Sequence, residues 1–273
     1  MITWKHQIDS LKHLIDWVWY LDVSADDNID AMPQLVPNVN AHYIISPSQQ
    51  PYQYTSAKAQ FSGHGSYLLT ANTQTLILDD KPPLTRLGFR FTPTALYQLK
   101  QQQAGVIDQC IKIDWLDDLL QPERYQSLIV QADRASLLEQ VEHDLTPLLT
   151  LVKPDLTVAL VEKSLLLIEQ SNGMLSSEHL AKQCFCTKRT LERAFSKVVG
   201  LSIKQYQTIV KFEALFTHLY QHPLNPDWAA LADQYGFSDQ PHLIRQMKKI
   251  LGVTPAGYIS ARDLVIDIYG DFE

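Results

Sequence analysis

LAKQCFCTKRTLERAFSKVVG, from Leu180 to Gly200, returns as LADQYGFSDQPHLIRQMKKILG, from Leu231 to Gly252. Leu180-Ala181 matches Leu231-Ala232 at an offset of fifty-one, and Leu191, Arg193, Phe195 and Gly200 match Leu243, Arg245, Met247 and Gly252 at fifty-two. The second copy therefore carries one extra residue between its turn and Leu243. The echo runs on into GLSIKQY, Gly200 to Tyr206, and GVTPAGY, Gly252 to Tyr258, which close on a tyrosine at the same offset. Two copies are too few for a solenoid, so they read as paired modules.

Each copy has the same internal order. In the first, Ser177 precedes a short helical pattern, Cys184-Phe185-Cys186 makes a tight turn, and Thr187 caps a longer helix over Lys188 to Val199. Leu191, Phe195 and Val198 share its inward face, while Lys188, Arg189, Glu192, Arg193 and Lys197 point outward. In the second, Asp227 starts a helix over Trp228 to Gln234, and Tyr235-Gly236-Phe237 is the turn, with Gly236 supplying a positive φ. Ser238 or Asp239 then caps a helix to about Ile250 that tolerates Pro241 in its first turn. Its outward residues are Gln240, His242, Arg245, Lys248 and Lys249. Short helix, turn and longer helix with a polar, basic outer face is the helix-turn-helix plan, whose second helix fits the major groove.

Charge is distributed to match. The 273 residues carry a net −7, yet Ser171 to Arg262 holds eleven Lys and Arg against six Asp and Glu. The acidity lies in the preceding 170 residues and in the last eleven, which hold four acids and no base. A basic segment can meet phosphate while the rest of the molecule stays acidic. The 45% apolar and 19% charged composition fits a globular chain of two domains. There is no apolar run of about eighteen residues, which excludes a membrane span of that kind. Met1 to Ser10 lacks a signal peptide's apolar centre, and three cysteines make no disulfide framework, so a cytoplasmic location is expected.

Before the modules the pattern is mixed. Ile15 to Leu21, His42 to Ile45, Thr75 to Leu78 and Arg86 to Phe91 are rich in aromatic and β-branched residues and read as strands. Pro47-Ser48 and Ser62-Gly63-His64-Gly65 read as turns between them. Helical patterns cover Thr94 to Gln103, Leu116 to Leu120 and, with breaks, Pro122 to Leu149. The expected fold is an α+β N-terminal domain, a small and largely antiparallel sheet with helices, followed by an all-α C-terminal domain. Residues 1–150 form the first, 151–262 the second, and 263–273 an acidic tail. Asp155 can cap a helix over Leu156 to Gln170 that Asn172-Gly173 stops.

The stretch Gly236 to Leu243, followed by Lys248-Lys249-Ile250-Leu251-Gly252-Val253-Thr254-Pro255 and Tyr258, resembles the signature of the AraC/XylS family of bacterial transcription regulators. The first copy resembles that family's other module. The resemblance covers about the last hundred residues. It implies seven helices, with the two modules joined by a linker helix over about Ile203 to Gln221. It also implies DNA contacts: Arg189, Glu192, Arg193, Gln240, His242 and Arg245 on base edges, and Lys188, Lys197, Lys248 and Lys249 on phosphates. Two rigidly linked helices would reach adjacent major grooves about 34 Å apart. Phe185 departs from the family's usual glycine in the turn, and a bulky residue at positive φ is costly. Glu192 has a second reading, a helical ion pair with Lys188.

Pro37-Asn38-Val39-Asn40 and Leu87 to Pro93 resemble an N-terminal sensor-type domain found on some members of the family. The implied partners are double-stranded DNA and RNA polymerase, together with a small-molecule effector, a homodimer or both; no membrane is implied. Activation and repression stay open. A different reading makes the N-terminal part an enzyme or metal site carried by a DNA-targeting module. Cys184 and Cys186 could hold metal or accept a methyl group, or simply fill apolar turn positions. His42 and His64 could belong to a metal-binding barrel or be structural. Trp4, Trp17, Trp19 and Tyr20 could line an effector pocket or be core. No cofactor, no catalytic residue and no zinc spacing is expected, because GxSxG, P-loop and HExxH patterns are missing.

Overall fold

The computed structural model describes residues 2–27, 34–79, 81–100, 106–131, 134–222 and 226–251. The GVTPAGY echo, the seventh helix implied by the resemblance and the acidic tail lie outside the described residues.

Two antiparallel sheets form the N-terminal part. The larger takes β1 (Ile2–His6), β2 (Ile15–Val23), β4 (His42–Ile45), β7 (Tyr67–Leu69), β9 (Leu84–Phe91) and β10 (Cys110–Ile111), in the order β1-β2-β9-β4-β7-β10. The smaller takes β3 (Gln34–Leu35), β5 (Pro51–Thr55), β6 (Gln60–His64) and β8 (Leu76–Leu78), in the order β3-β8-β5-β6. Both faces of the large sheet are covered. Along β2, Val18 joins a core shared with helices, while Trp19 and Leu21 join a core shared with the small sheet. Tyr43 and Ile45 of β4 face the helices, and Ile44 faces the small sheet. A strand covered on both sides reads as a continuous apolar run, and all four residues of β4 are buried.

In place of the one small sheet expected, there are two, of six and four strands. The difference comes mostly from β5 and β6. Tyr52 and Tyr54 of β5 alternate with exposed residues, and β6 buries none of its five. Of the segment that reads as a turn at Ser62 to Gly65, Ser62 to His64 are in fact the end of β6, paired with β5 as Gly63 to Tyr52 and His64 to Pro51, and only Gly65, at φ 73°, turns the chain.

Helices α1 (Ala95–Lys100), α2 (Asp114–Leu120), α3 (Pro122–Gln131), α4 (Arg134–Leu145) and α5 (Leu148–Leu151) follow. Leu116, Leu120, Leu137, Val141, Leu145 and Leu148 close the core over Tyr43, Phe89 and Phe91. Tyr43 donates from its hydroxyl to the Asp117 carboxylate, which ties α2 to β4.

From residue 156 on, all described elements are helices: α6 (Leu156–Gln170), α7 (Ser177–Gln183), α8 (Lys188–Val199), α9 (Ile203–Gln221), α10 (Trp228–Gln234) and α11 (Gln240–Leu251). Local chemistry sets their ends. Asp155 caps α6 by accepting from Thr157 N at 2.6 Å, and Asn172 and Gly173, at φ 47° and 73°, stop it. Thr187 caps α8, Asp227 caps α10, and Asp239 accepts from His242 N at 2.6 Å at the start of α11. The cap of α7 is Ser176, one residue before the expected position. The linker α9 begins with a full capping box, Ser202 and Gln205 bonding each other's backbone N–H.

The N-terminal part shares its cores with the modules. Val39, Ala71 and Tyr97 are buried with the α6–α9 cluster, and Val36 is buried with the cluster of α9, α10 and α11.

Candidate nucleic-acid interface

The two modules are built alike. Leu180 and Ala181 of α7 pack against Leu191, Phe195 and Val198 of α8, and Leu231 and Ala232 of α10 pack against Leu243 and Met247 of α11. Both turns place one residue at left-handed φ: Phe185 at 55° and Gly236 at 66°. The turn of the first module thus keeps its shape with a phenylalanine in the glycine position. The Phe185 side chain is 89% exposed, and the Lys163 ammonium sits 4.6 Å from its ring centroid. Gly200, at φ 82°, ends α8, and Tyr206 stands edge-on to Phe195 at 5.4 Å, packing α9 back onto the first module. Gly252 and Tyr258 lie outside the described residues.

On α8, Lys188, Arg189, Glu192, Arg193 and Lys197 are all exposed. On α11, Gln240, Arg245, Lys248 and Lys249 are exposed. His242 differs from them. It is half-buried, its Nδ1 accepts from Ser238 N at 3.2 Å and lies 3.0 Å from Ser238 Oγ, and its ring stands over Phe237. It braces its own turn in this structure.

Two of the lysines are engaged. Lys188 Nζ donates to Glu178 Oε1 at 2.6 Å, so it pairs with the first turn of α7; Glu192 adds only a more distant attraction. Lys197 Nζ lies 5.3 Å from the ring centroid of Tyr97 in α1, and a side-chain hydrogen bond to Tyr97 raises its pKa. The N-terminal part therefore touches the first groove helix directly.

Cys184 is buried against the module core, with its thiol pKa pushed up by burial, and Cys186 is half-buried beside it. His42 is buried and accepts from Trp19 Nε1 at 3.3 Å; His64 is exposed on β6. Among the described residues no three His, Cys, Asp or Glu side chains come together as metal ligands. Trp19 is core, Trp4 stacks on Tyr20 at 5.4 Å, and Trp17 is half-buried in a cleft where the N-terminal sheet meets α6 and α9.

That cleft encloses about 470 Å³. Asp16, Asn40 and Arg90 line one wall, Glu162, Glu169, Tyr206 and Glu213 the other. Asn40 holds the first wall together, donating to Asp16 at 2.8 Å and accepting from Arg90 at 2.7 Å. Desolvation by the walls pushes the Glu169 carboxyl pKa up, while the Tyr206 hydroxyl 3.1 Å away opposes the shift. No signal local in sequence shows this cleft, because its walls come from five separated segments.

A pair of helix-turn-helix modules with basic outer faces, set on one linker helix, defines a DNA-binding transcription regulator. Residues 180–261 match the family model described as a helix-turn-helix domain, and this domain is of the AraC type. No curated protein matches the chain in sequence. Among solved structures, ToxT from Vibrio cholerae O395 is similar at 9% identity and TM-score 0.44, over 89% of this chain and 95% of that one. The C-terminal domain of AraT, a response regulator from Geobacillus stearothermophilus, is similar at 22% identity and TM-score 0.34, over 42% of this chain and 93% of that domain. Among the described residues no helix is long and apolar enough to cross a membrane.

Proposed function

We propose that residues 151–262 read a specific operator with α8 and α11 in adjacent major grooves, and that residues 1–150 control how those helices are presented. The observation that supports this most directly is the matched exposure of Arg193 and Arg245 on the corresponding faces of two equivalent helices. Arg189, Glu192, Arg193, Gln240 and Arg245 supply the donors and acceptors for base edges; Arg suits guanine, Gln adenine and Glu cytosine. Lys188, Lys197, Lys248 and Lys249 supply phosphate contacts. His242 joins the base readers by turning its ring out of the Ser238 contact, or else acts by fixing the turn that aims Gln240.

The N-terminal part reaches both modules, through Tyr97 at Lys197 and through Val36 in the α10–α11 core. A ligand or partner of residues 1–150 would act by changing these contacts. The output would be a changed engagement of RNA polymerase at a promoter, and a homodimer would bring two such domains to one operator.

Selection of bound duplexes from a random pool tests the reading. Arg193→Ala and Arg245→Ala should each cost about 1–3 kcal/mol on the selected site and relax base preference at one position each. Lys248→Ala should weaken all sequences alike. If both arginine variants select the wild-type sequence with wild-type affinity, the groove-helix assignment is wrong.

A further inference from the structure

The linker helix has two faces of opposite character. Tyr206, Val210 and Glu213 line the acidic cleft against the N-terminal sheet. Lys204, Thr208 and Lys211 follow the same i, i+4, i+7 spacing but are offset by two residues, about 200° around the helix. They line the other side, where two cavities of about 450 and 410 Å³ meet and share Lys204, Thr208 and Gln246.

These cavities make one continuous trough. It begins at Ser176 and Ser177, in the first turn of α7. That turn touches the leading end of α8, through the Glu178–Lys188 pair at 2.6 Å. The trough then passes beneath α9 and follows α11 from His242 to Ile250. It thus joins the leading end of one groove helix to the side of the other. Lys211, Lys204, Lys249 and Lys58 line it in turn, with serine, threonine and glutamine side chains between them. Among the described residues its lining contains no Asp or Glu, in a chain with thirty of them. Lysines interspersed with neutral donors are the chemistry of a phosphate backbone.

Lys58 is the unexpected member. It is exposed in the turn between β5 and β6, in the N-terminal part. Its sheet is fastened at this end of the trough, because Thr75, next to β8, bonds the Ile250 carbonyl.

We propose that this trough seats the DNA backbone running between the two adjacent major grooves, and that Lys58 gives the N-terminal domain a phosphate contact of its own. A duplex that takes two helices into successive grooves must present the intervening strand to whatever lies between those helices, and here that is the trough. The domain that controls presentation is then also part of the footprint. The inference rests on the DNA-binding reading.

The test is binding of the full chain to its selected duplex over a range of KCl concentrations. Removing one lysine from a phosphate should make the slope of log affinity against log salt shallower by about 0.9. Lys58→Ala and Lys204→Ala should each show that change, with the selected sequence unaltered. Lys58→Arg should keep the wild-type slope, and so should Lys12→Ala, whose exposed lysine lines neither cavity of the trough. Wild-type slopes in both Lys58→Ala and Lys204→Ala would overturn the trough while leaving the groove helices intact. A wild-type chain that binds no duplex at all would overturn both, and loss of selectivity in Arg193→Ala shows that the underlying reading stands on its own.

Discussion

Thr75 Oγ1 donates to the carbonyl of Ile250 at 2.7 Å, and the Thr75 amide reaches the same oxygen at 3.4 Å. The last carbonyls of any helix lack partners within it. Here a residue 175 positions away in sequence supplies one, so the second groove helix ends against the N-terminal sheet.

Thr75→Val keeps the side chain's volume and removes the hydroxyl bond. The chain should lose about 0.5–1.5 kcal/mol of stability. A urea titration should show a lower midpoint with an unchanged slope.

The two turns should respond in opposite senses to opposite exchanges, because both hold a residue at left-handed φ. Phe185 holds φ 55° with little burial to offset the strain, so Phe185→Gly should stabilise the chain by about 0.5–1 kcal/mol after the entropy of glycine is subtracted. Gly236→Ala should destabilise it by about 1–2 kcal/mol, since φ there is 66° and a methyl group would come within 3.2 Å of Lys211 Nζ. Thermal midpoints of the two variants should move apart around the wild type.

Gly173 has no such freedom to give. A methyl group there would stand 2.4 Å from the backbone carbonyl of Gln207, at φ 73°. Gly173→Ala must push the end of α6 off α9 and should cost about 2 kcal/mol or more, read as a fall in the denaturation midpoint.

His42 makes the fold sensitive to acid. Burial, and secondarily the charge of Arg90, push its pKa down to about 3 from an ordinary 6.5. Between those values the unfolded chain takes up a proton that the folded chain refuses. Stability from this group is therefore complete above about pH 6.5 and is lost as pH falls towards 3. In His42→Asn that part of the dependence should vanish, so the difference in unfolding free energy between the two proteins should shrink steadily on acidification.

The modules are legible in the sequence because their signals are local. Asp155, Thr187, Asp227 and Gly200 each act within one turn of their own position, and the structure finds them in those roles. Much of the sheet is not legible. β6 carries no apolar alternation, since none of its residues is buried, and β3 and β10 are two residues long. Periodicity places His242 outward, but it cannot show that Ser238, four residues earlier, holds the ring back. Lys58 and Tyr97 sit at the interface through neighbours about a hundred residues or more away in the chain, for which a linear pattern has no sign.

Val36, Val39, Ala71 and Tyr97 belong to the N-terminal part by sequence but are buried among the helices of the reader. The two halves are thus soldered together, and heating should melt them in one event. An excised C-terminal fragment would leave bare greasy patches where those four side chains had sat, and it should clump in solution unless something else covers them.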